Sequence, residues 1–95
     1  MLFAIICLDK PGALDTRLAV RPEHLEYLKS FGDKLKMGGA FLGEDGQPQG
    51  SLLVFEAEDK AEAQAFADGD PFAKAGVFEQ TTIRPWRAAV GSWVA

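Results

Sequence analysis

Residues Leu2 to Leu8 read Leu-Phe-Ala-Ile-Ile-Cys-Leu, with no polar side chain among them. Side chains of a strand alternate between the two faces of its sheet, so both the odd set (Phe3, Ile5, Cys7) and the even set (Ala4, Ile6, Leu8) require cover. Only an interior strand of a sheet covered on both sides meets that demand. Leu52-Leu53-Val54-Phe55 makes the same demand a second time. Any fold open to this chain must therefore hold two central strands.

The segments between these runs supply the rest. Asp9-Lys10-Pro11-Gly12 stops the first strand, because Pro-Gly is a turn signal and proline has no ladder donor. From Leu14 to about Phe31 the period becomes helical: His24, Leu25, Leu28 and Phe31 share one stripe, and Glu23, Glu26 and Lys29 take the wet side. Proline is tolerated in a first turn and breaks a helix interior, so Pro22 predicts a short turn or helix over Leu14 to Ala19 and a main helix from Pro22 onward. Gly32 and Asp33 end it. Leu35 to Leu42 alternates as an edge strand, and Gly38-Gly39 within it predicts a bulge or a close approach to the backbone. The Gly43–Pro48 loop leads to a strand over Gln49 to Glu56. Asp59 to Ala67 follows as a second helix, with Asp59 as N-cap, Glu62 three residues on, and Ala61, Ala65 and Phe66 inward. Asp70 to Gly76 reads as one helical turn, and Val77 to Trp86 as a half-polar edge strand.

The order β-α-β-β-α-β, joined by short right-handed crossovers, gives an α+β fold of ferredoxin-like type. It has a four-stranded antiparallel sheet with the first and third strands inside and both helices on one face. The other face keeps the second apolar set of each central strand, a patch large for a monomer to expose. A homodimer through that sheet face is the expected partner, with the tail carrying Trp93 reaching across to seal it. At 95 residues and 47% hydrophobic content, one domain over residues 1–95 is expected.

The net charge of -4 and the dispersal of ten Lys and Arg residues argue against a nucleic-acid partner. The seven-residue apolar opening is too short for a membrane span or a signal peptide, so the protein is expected in the cytoplasm and off the membrane. Cys7 sits inside an apolar run and reads as a buried, inert thiol. One histidine and one cysteine cannot close a zinc site, and no phosphate loop or dinucleotide fingerprint is present, so neither metal nor cofactor is expected.

His24, the only histidine, lies on the inward stripe. It is either a satisfied core histidine or a general acid and base that exchanges a proton near neutrality. Asp70 before Pro71 looks like a helix cap, and a cap can also orient an imidazole. Arg17 either binds an anionic substrate or solvates its helix face. Gly38 and Gly39 either admit a ligand or form the bulge. Ser51 can donate a hydrogen bond from its strand, and no Ser-His spacing supports a nucleophilic role.

Taken together, Leu2 to Leu8, Arg17, Arg21-Pro22-Glu23-His24-Leu25, Gly39, Asp70-Pro71-Phe72, Ala75-Gly76-Val77 and Arg84-Pro85-Trp86 resemble the YciI-like (YCII-related) family over nearly the whole chain. The resemblance implies the dimeric α-β barrel type of ferredoxin-like fold. It also implies a small-molecule pocket in which His24 and Asp70 form a catalytic dyad. One branch of the family eliminates chloride from chlorinated hydroxyquinols, and the wider superfamily includes muconolactone isomerases and haem-degrading monooxygenases. The implied reaction is elimination or isomerisation of a small cyclic or phenolic molecule, with Arg17 and the Gly38-Gly39 backbone orienting an oxygen. The alternative is a non-catalytic small-ligand-binding or accessory domain.

Overall fold

The structure, a computed structural model, describes residues 1–94. Its elements are β1 (Leu2–Asp9), α1 (Leu14–Lys29), a short 3-10 turn (Gly32–Lys34), β2 (Leu35–Leu42), β3 (Pro48–Glu56), α2 (Lys60–Gly69), α3 (Pro71–Lys74) and β4 (Phe78–Trp86). The strands form one antiparallel sheet in the order β2-β3-β1-β4. This is the expected ferredoxin-like α+β arrangement, with helices on one face.

The apolar runs explain the order. Ile5 pairs with Leu53 on one side and Ile83 on the other, so one buried row crosses three strands. Phe3, Ile5 and Cys7 of β1 and Leu53 and Phe55 of β3 face the helices and are buried, as their alternation requires. The ring of Phe66 from α2 stacks on Phe55 at 3.9 Å, and Phe31 meets both rings edge-on. Tyr27 closes this cluster, donating its hydroxyl proton to the Phe66 carbonyl at 2.8 Å. Gly69 leaves room for it, because a Cβ there would meet the Tyr27 oxygen at 2.4 Å.

Three local expectations need correction. Helix α1 is continuous through Pro22. Proline removes the donor to the Leu18 carbonyl, but Leu18 is 49% exposed, and the buried Arg17 and His24 anchor the helix on either side of the proline. On α2 the inward face is Ala63, Phe66 and Ala67, whereas Ala61 and Ala65 are exposed. The Asp59 cap does form, accepting from the Glu62 N–H at 2.9 Å. No bulge lies at Gly38-Gly39, which pair regularly with Leu53 and Leu52; the register shifts fall on either side, at Leu35/Met37 and Phe41/Leu42. Close approach is the reading that holds, since a Cβ on Gly38 would sit 2.6 Å from Leu53 Cδ2.

Burial pushes the Cys7 thiol up to about 11, which keeps it protonated and unreactive at neutral pH. The second sheet face carries Leu2, Ala4, Leu52 and Val54 beneath residues 88–94, with a groove of 1050 Å³ between tail and sheet. Trp93 lines this groove and remains 83% exposed. No helix among the described residues is long and apolar enough to cross a membrane.

Candidate active site

Arg17 and His24 are two helical turns apart on α1, so their side chains leave the same face. That face lies over the end of the sheet where β1 finishes in Asp9 and β3 carries Ser51. Nη1 of Arg17 donates to both carboxylate oxygens of Asp9, at 2.9 and 3.0 Å, and Nη2 donates to Ser51 Oγ at 2.8 Å. All three side chains are removed from bulk water. Burial pushes the Asp9 carboxyl above its ordinary range, and the Arg17 guanidinium opposes that rise. A buried fork of this kind fixes the guanidinium in place.

Two turns further along α1, His24 Nδ1 lies 2.8 Å from Asp70 Oδ1. The same oxygen accepts the Phe72 N–H at 2.9 Å, because Asp70 is the N-cap of α3 with Pro71 behind it. The two readings of Asp70 thus describe one carboxylate, which caps a turn and holds an imidazole. An oxygen already accepting one hydrogen bond meets the ring nitrogen as an acceptor again, which places the proton on Nδ1. The Phe72 ring stacks on the imidazole at 3.9 Å and an interplanar angle of 17°, fixing its plane. The Arg17 guanidinium carbon lies 4.6 Å from the centroid of the same ring. Phe72 therefore packs the two polar pairs into one unit.

Nε2 has no protein partner among the described residues, and none of their buried side-chain polar atoms is left without one. The nitrogen is therefore in contact with solvent, and the cavity it reaches has a volume of 460 Å³. Apolar side chains of α1 and β2, among them Leu25, Leu28 and Leu42, form much of its wall. Of the six residues named from the sequence, Arg17, His24, Gly38, Gly39 and Ser51 line this cavity, and Asp70 stands behind His24. A Cβ on Gly39 would meet nothing within 4 Å, so glycine there leaves open space. Among the described residues, no group of three His, Cys, Asp or Glu side chains is placed to hold a metal ion.

Three residues gained importance only with the structure. Asp9 read as a strand stop, and Phe72 and Arg21 as parts of motifs with no role of their own. The available signal for Asp9 was a carboxylate directly after a fully apolar strand, a place where it is buried and requires a cation.

The YCII-related domain model matches residues 1–87, which span every element from β1 to β4 and every residue of the cavity. The chain belongs to the YCII-related family. Among its relatives, Protein YciI of Escherichia coli is 36% identical over 92% of this chain and 97% of that protein. The solved structure of 5-chloro-2-hydroxyhydroquinone dehydrochlorinase (TftG) from Burkholderia phenoliruptrix, in complex with 2,5-dihydroxybenzoquinone, is 38% identical. It covers 94% of this chain and 96% of that one, with a TM-score of 0.87. An antibiotic biosynthesis monooxygenase superposes with a TM-score of 0.57 at 20% identity over 95% of this chain and 100% of that one, a likeness of fold alone. The dehydrochlorinase thus shares this chain's fold from end to end.

Proposed function

We propose that this YCII-related protein is a small-molecule lyase or isomerase that moves protons with a His24–Asp70 dyad. The observation that carries the reading is the asymmetry of one imidazole: Nδ1 is held by a buried carboxylate, and Nε2 faces a cavity of a size to take one ring. Asp70 holds the tautomer, and Nε2 takes a proton from an acidic O–H or C–H of the substrate. The electron pair left behind moves through the conjugated system. On a chlorinated hydroquinone the imidazolium returns that proton to the chlorine-bearing ring carbon, and loss of a second O–H proton then drives chloride out with the bonding pair, so the net loss is HCl. Without a leaving group, the imidazolium returns the proton at another carbon and the reaction is an isomerisation.

Arg17 and Ser51 supply donors to the cavity. Their mutual hydrogen bond uses the Ser51 oxygen as acceptor, which leaves its O–H to donate to a substrate oxygen. Arg17 retains one Nη2 hydrogen and its Nε hydrogen beyond the bonds to Asp9 and Ser51. The Gly38-Gly39 backbone forms the opposite wall and admits a flat ring close to the strand.

The reaction of the dehydrochlorinase supports the elimination arm, and its substrate is the first to test. Supplied with 5-chloro-2-hydroxyhydroquinone, the protein is expected to release chloride and form a quinone in equal amounts. Binding of this compound and of its product without any turnover would instead favour a ligand-binding domain.

The second sheet face is proposed to pack on that of another copy in the cytoplasm. Apolar side chains from both central strands and exposed Trp86 and Trp93 favour this cover. Light scattering is expected to report twice the chain mass of 10.3 kDa at micromolar concentration, and a mass of one chain would contradict it.

A further inference from the structure

The chain as a whole is acidic, with a net charge of -4, yet the wall of its 460 Å³ cavity is cationic. Arg17, Arg21 and His24 line it, and no aspartate or glutamate does. Two of these three side chains already have a carboxylate partner behind the wall. Asp9 takes Arg17 and Asp70 takes His24, both within 3.0 Å.

Arg21 is different. Its side chain is exposed and enters no ion pair or hydrogen bond among the described residues. Its neighbours at three and four positions along α1 are Arg17, Leu18, His24 and Leu25, so none of the places from which a helix could neutralise it holds a carboxylate. All four of those neighbours also line the cavity. The one unmatched charge of the cavity is therefore a guanidinium at its mouth, one turn before the imidazole on the same helix face.

We infer that Arg21 selects the ligand's charge: the cavity takes a small planar acid, ionised as a phenolate, enolate or carboxylate, whose anionic oxygen pairs with the Arg21 guanidinium. Residues three apart on a helix have Cβ atoms about 5–6 Å from one another, so one six-membered ring reaches both Arg21 and His24 Nε2. A planar fork is suited to a delocalised oxyanion, with two parallel N–H donors on one or two oxygens. Negative charge that builds on the ring as Nε2 withdraws a second proton is then met by a fixed cation. Arg17 cannot take this part, since its charge is neutralised at Asp9.

The inference rests on the cavity being the ligand site and not on proton transfer occurring there, so binding tests it apart from turnover. The probe is 2,5-dihydroxybenzoquinone, a vinylogous carboxylic acid that is ionised at neutral pH, set against 2,5-dimethylbenzoquinone, a neutral ring of similar shape. Calorimetric titration of the native protein is expected to show the acid binding and weakening as salt is added. In Arg21→Gln the acid should bind about tenfold or more weakly, as for loss of a hydrogen bond to a charged group, while the neutral ring binds as it does to the native protein. Arg21→Lys, which keeps the charge without the fork, should fall between. Arg21 is exposed, so both variants should fold, and an unchanged melting temperature checks this. Equal affinity of native protein and Arg21→Gln for the acid, equal loss of both probes, or no binding of the acid to the native protein would each overturn the inference. Binding governed by Arg21 without any chloride release would leave it standing and overturn the proposed lyase activity alone.

Discussion

His24→Asn is expected to lower turnover by about 10²–10⁴-fold, the usual contribution of a positioned general acid or base, with the domain still folded. Asparagine is the informative replacement. Its amide nitrogen can occupy the place of Nδ1 and donate to Asp70 Oδ1, so the buried carboxylate keeps the partner it has at 2.8 Å. What disappears is Nε2, the atom that faces the cavity. His24→Ala removes both nitrogens, leaves the Asp70 carboxylate with only the Phe72 N–H, and strips the ring from Phe72; it should lose stability by about 1–3 kcal/mol as well as activity. The comparison separates the two readings of this histidine. A structural histidine would make the alanine variant unstable and leave the asparagine variant active, whereas a catalytic one makes both inactive. Chloride release and thermal melts on the same samples distinguish these outcomes.

Arg17→Met is expected to destabilise the fold by about 3–5 kcal/mol at neutral pH, the range seen when one partner of a buried ion pair is removed. Methionine retains much of the packing of the arginine stem, so the loss is chiefly electrostatic. Asp9 would keep the burial that already raises its pKa and lose the guanidinium that opposes the rise. Its folded pKa would then stand further above the unfolded value. A carboxyl shifted in that direction destabilises the native state fully above its folded pKa and ceases to do so as it protonates. The deficit of Arg17→Met relative to the native protein should therefore shrink as the pH falls through the Asp9 pKa. Denaturant melts at several pH values measure this directly. A deficit below about 1 kcal/mol at every pH would show that the pair behaves as an exposed one.

Much of the fold was legible because burial leaves a pattern that local chemistry cannot imitate. Leu2 to Leu8 and Leu52 to Phe55 are apolar at both parities, and the two strands they form are the interior ones. The α1 stripe was legible for the same reason: His24 and Leu28 are buried and Glu23 and Glu26 exposed, as their spacing requires. The phase of α2 was not. Alanines at 61, 63, 65 and 67 alternate through the helix, so only contact with the sheet decides that Ala63 and Ala67 join Phe66 inside. Pro22 misled for a different reason. A local penalty of about 3 kcal/mol argues for a break, and buried hydrogen bonds from Arg17 and His24 on either side of it outweigh that penalty in the folded chain.

The candidate site divides along the same line. A single histidine on an inward face and an Asp-Pro cap are visible in a sequence, but their meeting depends on where α3 docks against α1. The Asp9–Arg17 pair depends on how the Lys10–Ala13 turn returns the chain, and Arg21 on its forming no ion pair among the described residues. Those are properties of the packed molecule and leave no spacing rule behind.

The proton position on His24 is the most direct measure of the proposed dyad. The chain has one histidine, so nitrogen-15 NMR of the ring yields a single pair of signals without assignment by mutation. At a pH where the ring is neutral, the native protein should show the proton on Nδ1 and a bare Nε2, and Asp70→Ala should release the ring to a mixture of both tautomers. A native ring protonated on Nε2, or a tautomer that Asp70→Ala leaves unchanged, would contradict a general base held in place by Asp70.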